Sequence, residues 1–135
     1  MNQIFPDPSL LWMLRRVVGV GLLYHLYRND YTPTLSDTLG SYTEAVWSGY
    51  APVLAPAAAW TTAVVITHLG DLQAPPIQFR NTSPAAVSVY GFFVTDNTGL
   101  QLVCASRFDE APITIQVGDA YPVTPLLGSY SGLQA

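Results

Sequence analysis

Apolar residues recur along this chain at two different intervals, and the change from one to the other falls near residue 20. Before it, Leu10, Leu11, Leu14, Val17 and Val18 share one face at helical spacing. Asp7-Pro8 supplies a start signal, because Asp7 can cap free amides and Pro8 sits at the first helical position, where its missing N–H costs nothing. Gly19 and Gly21 stop the pattern, and Arg15 and Arg16 suit the negative end of a helix dipole. Trp12 and Met13 flank the stripe, so the predicted helix is apolar over more of its circumference than one core contact uses. It can touch a neighbouring subunit as well as its own domain; plain packing on a sheet is the alternative.

After residue 20 the pattern shortens to alternating or continuous apolar runs divided by Pro, Gly, Asn and Asp, which predicts strands and no second helix. The strands fall near residues 22–28, 61–67, 77–80, 87–95, 100–108, 113–117 and 120–124. Residues 43–47 and 51–54 carry a fainter version of the same pattern. The best local signal spans 87–108, two alternating runs joined by Asp96-Asn97-Thr98-Gly99, residues that tolerate the positive φ of a hairpin turn. A second tight connection is expected at Gly118-Asp119. Gly91, inside an apolar strand, predicts a bulge or the close approach of another backbone. Pro52, Pro56, Pro75, Pro76, Pro84 and Pro112 fall at strand starts or connections, where they block unwanted edge pairing.

The predicted fold class is therefore mainly β: a short N-terminal helix followed by a compact antiparallel β-sandwich or small barrel. The expected divisions are an N-terminal helical arm (1–19), a β domain (20–126) and a C-terminal tail (127–135). At 135 residues one core can bury roughly two thirds of the surface of the unfolded chain, so no staple is needed. The uncharged stretch 55–59 can lie flat against a partner or form an ordinary loop.

Composition changes this picture in one respect. Only 10% of the residues are charged, against about 25% in an ordinary domain, and lysine is absent. Half of the chain is hydrophobic and mean hydropathy is +0.28. A chain so poor in charge covers much of its exterior with other protein, which points to a subunit of an assembly. A net charge of −4 with five scattered arginines provides no basic stripe to release counterions, so neither nucleic acid nor a membrane surface is the expected partner. The start of the chain lacks the basic region of a secretion signal. The run 17–27 is about half the ~20 residues needed to span a bilayer.

Candidate chemistry is sparse. His25 and His68 are the ordinary bases, neither within a motif, and a lone strand histidine is commonly a hydrogen-bonded structural residue. There is no Gly-x-Ser-x-Gly elbow, and Cys104 has no Cys-His signature, so it reads as a small buried hydrophobe. His68 and Asp71 occupy a Thr-His-Leu-Gly-Asp segment read as a turn, too slight a set for a metal site. The glycines form no phosphate cradle. The expectation is a protein without enzymatic activity, metal or cofactor. Trp47, Tyr50 and Trp60 are either core filling, interface anchors or sugar-stacking platforms.

The segments Leu26-Tyr-Arg-Asn-Asp-Tyr-Thr-Pro33, Tyr42-Thr-Glu-Ala45, Ser48-Gly49-Tyr50, Val89-Tyr-Gly-Phe-Phe-Val-Thr95, Ala105-Ser-Arg-Phe-Asp109, Gly118-Asp119 and Val123-Thr-Pro125 resemble, in order, a group of small virion proteins of tailed bacteriophages. Members open with a short helix and continue as a compact β domain. The apolar run Ser9-Leu-Leu-Trp-Met-Leu14 and the absent lysine depart from that pattern. The resemblance implies a non-enzymatic virion structural protein, most concretely a capsid decoration, or cement, subunit. It would be made in the host cytoplasm and bound to the capsid exterior, bridging major capsid proteins and pairing with itself as a trimer. Its contacts would use Leu10, Leu11, Trp12, Leu14, Trp47, Tyr50 and Trp60. A tail, baseplate or fibre-associated module is the alternative, a carbohydrate-binding β-sandwich the second, and an enzyme that brings His25 or His68 to an Asp or Cys104 the last.

Overall fold

The computed structural model describes residues 15–65 and 68–127. These form eleven strands, β1 (Leu22–Tyr27), β2 (Val53–Ala55), β3 (Thr61–Val65), β4 (His68–Gln73), β5 (Ile77–Arg80), β6 (Val87–Val89), β7 (Gly91–Asp96), β8 (Leu102–Arg107), β9 (Ile113–Ile115), β10 (Ala120–Val123) and β11 (Leu126–Leu127). All pairings are antiparallel. They make four small sheets, ordered β2-β1-β7-β8, β10-β5, β11-β4-β3 and β6-β9. The mainly β, antiparallel expectation holds, and the sheets are not closed into a barrel.

Most of the predicted N-terminal helix lies outside the described residues. Residues 15–18 are helical and end in a turn, with Gly21 at φ +80. Leu10, Leu11, Trp12 and Leu14 fall outside. Three sequence expectations are corrected. The stretch 43–47 is no strand: only Glu44 bridges, to Tyr27. The run 87–95 is two strands, because the chain changes partner at Tyr90, β6 pairing with β9 and β7 with β1 and β8. Conversely, the His68-Leu-Gly-Asp segment read as a turn is the start of β4, paired with β3 across a register shift between Ala63 and Val65.

The sequence of β1, Leu-Leu-Tyr-His-Leu-Tyr, has no polar alternation because the strand is covered on both faces. Leu22, Tyr24 and Leu26 join Val89, Val94, Phe79, Trp60, Leu72, Ile115 and Val123 in the main core, to which every sheet contributes. On the opposite face Tyr27, Phe93 and Tyr42 form a second cluster, with Tyr31, Leu39, Tyr90, Leu102 and Ala105 packed around it. Residues 28–45 supply this cover and act as a roof over the sheet. Each large apolar side chain so buried contributes about 1.5–3 kcal/mol.

Two residues of high packing consequence sit at joints. Gly91 is where the expected close approach occurs: a Cβ there would meet the Ser106 carbonyl oxygen, and would lie 2.6 Å from the Tyr27 hydroxyl. Asn81 is fully buried and satisfies its whole amide. Its Nδ2 donates to the carbonyls of Ala85 at 2.8 Å and Ile115 at 2.9 Å, while its Oδ1 accepts from the Ser83 amide and hydroxyl. Its backbone also bonds Asp119 and Gly118, so one residue ties the end of β5 to the β9–β10 connection.

Candidate functional site

The roof is where the polar chemistry of the molecule collects. It is pinned along its edges by backbone bonds from Arg28 N–H to Thr43 and from Ala45 N–H to Leu26, both 2.8 Å. Asn29 adds a side-chain tie, donating to the Ser41 carbonyl at 3.0 Å and accepting from the Thr43 amide at 2.9 Å. At its centre Asp37 accepts from the Tyr31 hydroxyl, from the Thr34 amide at 2.9 Å and hydroxyl at 2.7 Å, and from the Tyr42 hydroxyl at 2.5 Å. Desolvation acts to raise its pKa, but these donors outweigh it and hold the carboxyl well below the ordinary carboxylate range. Desolvation, and after it the same contact with Asp37, push the Tyr42 phenol above its usual value. Tyr42 stacks on Phe93 at 5.2 Å and meets Tyr31 edge-on at 5.6 Å. Tyr27, fully buried, donates to the Tyr31 carbonyl at 2.9 Å, and desolvation raises it to about 12.

Beside this cluster His25 joins roof to sheet. Its Nδ1 pairs with Glu44 Oε2 at 2.8 Å and its Nε2 with Thr95 Oγ1 at 2.9 Å, while its ring stacks on Phe93 at 4.5 Å. Tyr50 donates to the same Glu44 oxygen at 2.9 Å and accepts from the Leu26 amide at 3.0 Å. A Glu-His-Thr row has the order of a nucleophile-activating triad. Here Thr95 is fully buried and gives its proton to the Asp96 carbonyl at 2.9 Å, so a substrate cannot reach it. The row is a structural tie. Among the described residues the partners of His25 are Glu44, Thr95 and Phe93, rather than an Asp or Cys104.

The remaining sequence candidates separate clearly. Trp60 is buried in the main core and donates to the Ala55 carbonyl at 3.3 Å. Trp47 and Tyr50 pack edge-on at 4.7 Å against the flank of that core, Trp47 donating to the Arg80 carbonyl at 3.1 Å. All three hold the domain together. Cys104 is free and half-buried, and desolvation raises its thiol to about 11. His68 and Asp71 belong to β4. Among the described residues no group of three or more His, Cys, Asp and Glu could hold a metal, and no helix is long and apolar enough to cross a membrane.

Two exterior features stand apart. Val17, Val20 and Leu54 are exposed, and Leu54 lies against Gly21 beside them. A groove of about 360 Å3 runs along the outer end of β8, lined by Arg107, Phe108, Asp109, Glu110, Ile113 and Tyr121. Sequence reading missed it, since its walls come from β8, β9 and β10. Arg107 is committed at its rim, paired with Asp30 at 2.7 Å and lying over the Tyr90 ring at 5.3 Å.

Fold and site together define an antiparallel β protein whose buried polar groups fasten its own chain. No protein-family model, curated protein or solved structure matches it.

Proposed function

We propose that this chain is a non-enzymatic structural protein of a tailed-phage particle, most specifically a capsid decoration subunit that bridges major capsid proteins on the shell exterior. The identity rests on the resemblance of its ordered segments to phage virion proteins. The supporting observation is where those segments lie: residues 26–33, 42–45 and 89–95 provide Tyr27, Tyr42, Phe93, Glu44 and Thr95, the joint between roof and sheet. They strengthen the body of the domain. In this reading the small sheets form the layers of a sandwich. In the same reading the lattice contact draws on Leu10, Leu11, Trp12 and Leu14, which lie outside the described residues, and on the exposed Val17, Val20 and Leu54.

A shell under pressure from packaged DNA gains from many weak contacts made in parallel, each raising the effective concentration of the next. Contacts poor in charge also lose little to salt. Closed symmetry is usual for such subunits, and we assign a trimer. Light scattering after size-exclusion chromatography, followed by electron cryomicroscopy of particles incubated with the protein, tests this. A trimer present in hundreds of copies on the head supports it. A few to dozens of copies on the tail would move the protein to the tail module, and a monomer at micromolar concentration that ignores capsids would overturn the reading.

A further inference from the structure

The groove beside β8 combines three properties. One side of it carries Phe108 and Tyr121, tilted to each other with 4.9 Å between ring centres, and Ile113 alongside. Its mouth carries Asp109 and Glu110, both exposed, and neither carboxylate has an ion pair or side-chain hydrogen bond among the described residues. Its one cation is already neutralised, because Arg107 is bound to Asp30. The groove therefore presents two uncompensated negative charges next to an aromatic surface.

An anion is repelled by that pair, and a neutral sugar would use the rings but leave the carboxylates without a counter-charge. A guanidinium on an alkyl stem satisfies both parts: its plane stacks on aromatic faces, and its fork of N–H donors matches a carboxylate. This chain cannot easily provide the guest itself. Arg28 donates to the Glu44 carbonyl, Arg80 to the Gly118 carbonyl, Arg107 pairs with Asp30, and Arg15 and Arg16 are also engaged. We propose that the groove formed by Phe108, Asp109, Glu110, Ile113 and Tyr121 is a docking site for an arginine side chain of a different protein. The inference concerns the groove alone and stands whether or not the virion reading does.

Titration of the full chain with N-acetyl-arginine amide, followed by amide NMR shifts, tests it. Saturable shifts confined to residues 106–113 and Tyr121 are expected in the millimolar range. The exposed pair Asp109→Asn and Glu110→Gln should weaken them by about tenfold or more while leaving the remaining spectrum unchanged. N-acetyl-norleucine amide and methyl glucoside serve as the neutral apolar and sugar probes. No saturable shift with the arginine probe, an equal response to norleucine, or tighter binding of the glucoside would each overturn the proposal.

Discussion

His25 and Glu44 stand 19 positions apart in the chain and 2.8 Å apart in space, and their contact is the point at which the roof is bolted to the central sheet. Glu44 also accepts from Tyr50, so a single carboxylate serves two elements. Removing its charge while keeping its shape isolates this role. Glu44→Gln should lower stability by about 1.5–3 kcal/mol, the range for hydrogen bonds to charged groups. The lower end is expected because the Glu44 side chain is 37% exposed. Urea denaturation followed by tryptophan fluorescence measures it, and an unshifted midpoint would assign the fastening to the tyrosines instead.

Gly91 and Gly99 should respond differently to one added methyl group. At Gly91 the new Cβ meets the Ser106 backbone and the Tyr27 ring, neither of which can swing away, so Gly91→Ala should cost about 3 kcal/mol, the upper range for overpacking. At Gly99, φ is +78 and the space is open, so Gly99→Ala should cost only about 1 kcal/mol of backbone strain. Thermal denaturation of the two variants compares them directly, and equal losses would refute the steric account.

Acid should loosen the roof through Asp37. Its folded-state pKa is depressed by the Tyr31, Tyr42 and Thr34 donors, so as pH falls the unfolded chain takes up the proton first. The stabilisation is complete above the ordinary carboxylate pKa of about 3.9 and is lost as pH drops below it. Asp37→Asn should remove this part of the acid slope. Stability measured between neutral and strongly acidic pH in both proteins tests it, and parallel slopes would exclude Asp37.

Alkali should destabilise the fold as well, through the tyrosines. Desolvation raises Tyr27 to about 12 and holds Tyr24, Tyr42 and Tyr50 further above their normal value. The unfolded chain then loses protons first, from about pH 10 upward, and stability falls as pH climbs through that region. Phenolate absorbance should rise with a steep, cooperative component that coincides with loss of tertiary structure. Independent, shallow titration of all eight tyrosines would contradict the burial of this cluster.

What the sequence disclosed and what it hid divide on one physical line. Alternation and turn chemistry are local, so β1, β5, the β7–β8 hairpin around Gly99 and the tight approach at Gly91 could be read directly. Pairing partners are not local. The run through Tyr90 keeps its rhythm although the backbone changes sheets there, because side-chain alternation is indifferent to which neighbour the amides address. Gly70 and Asp71 interrupt the rhythm inside β4, so a true strand looked like a turn.

Side-chain roles follow the same division. His25 was legible as a hydrogen-bonded structural residue from its place in an apolar strand, yet its partners at positions 44 and 95 were not. Asp37 carried no signal beyond a turn-forming neighbourhood, since its strength comes from Tyr31 and Tyr42 folding back on it. Trp47, Tyr50 and Trp60 could not be divided between core and interface, because bulk and aromaticity suit either place equally.

Because β1 and β7 are sheathed on both sides by the molecule's own residues, neither of these two strands offers a bare face to another macromolecule. What lies open instead are margins and corners, among them the shoulder at Val20 and Leu54 and the furrow by Phe108. In the proposed capsid role such a unit holds its neighbours at scattered points, and its grip grows with the number it reaches.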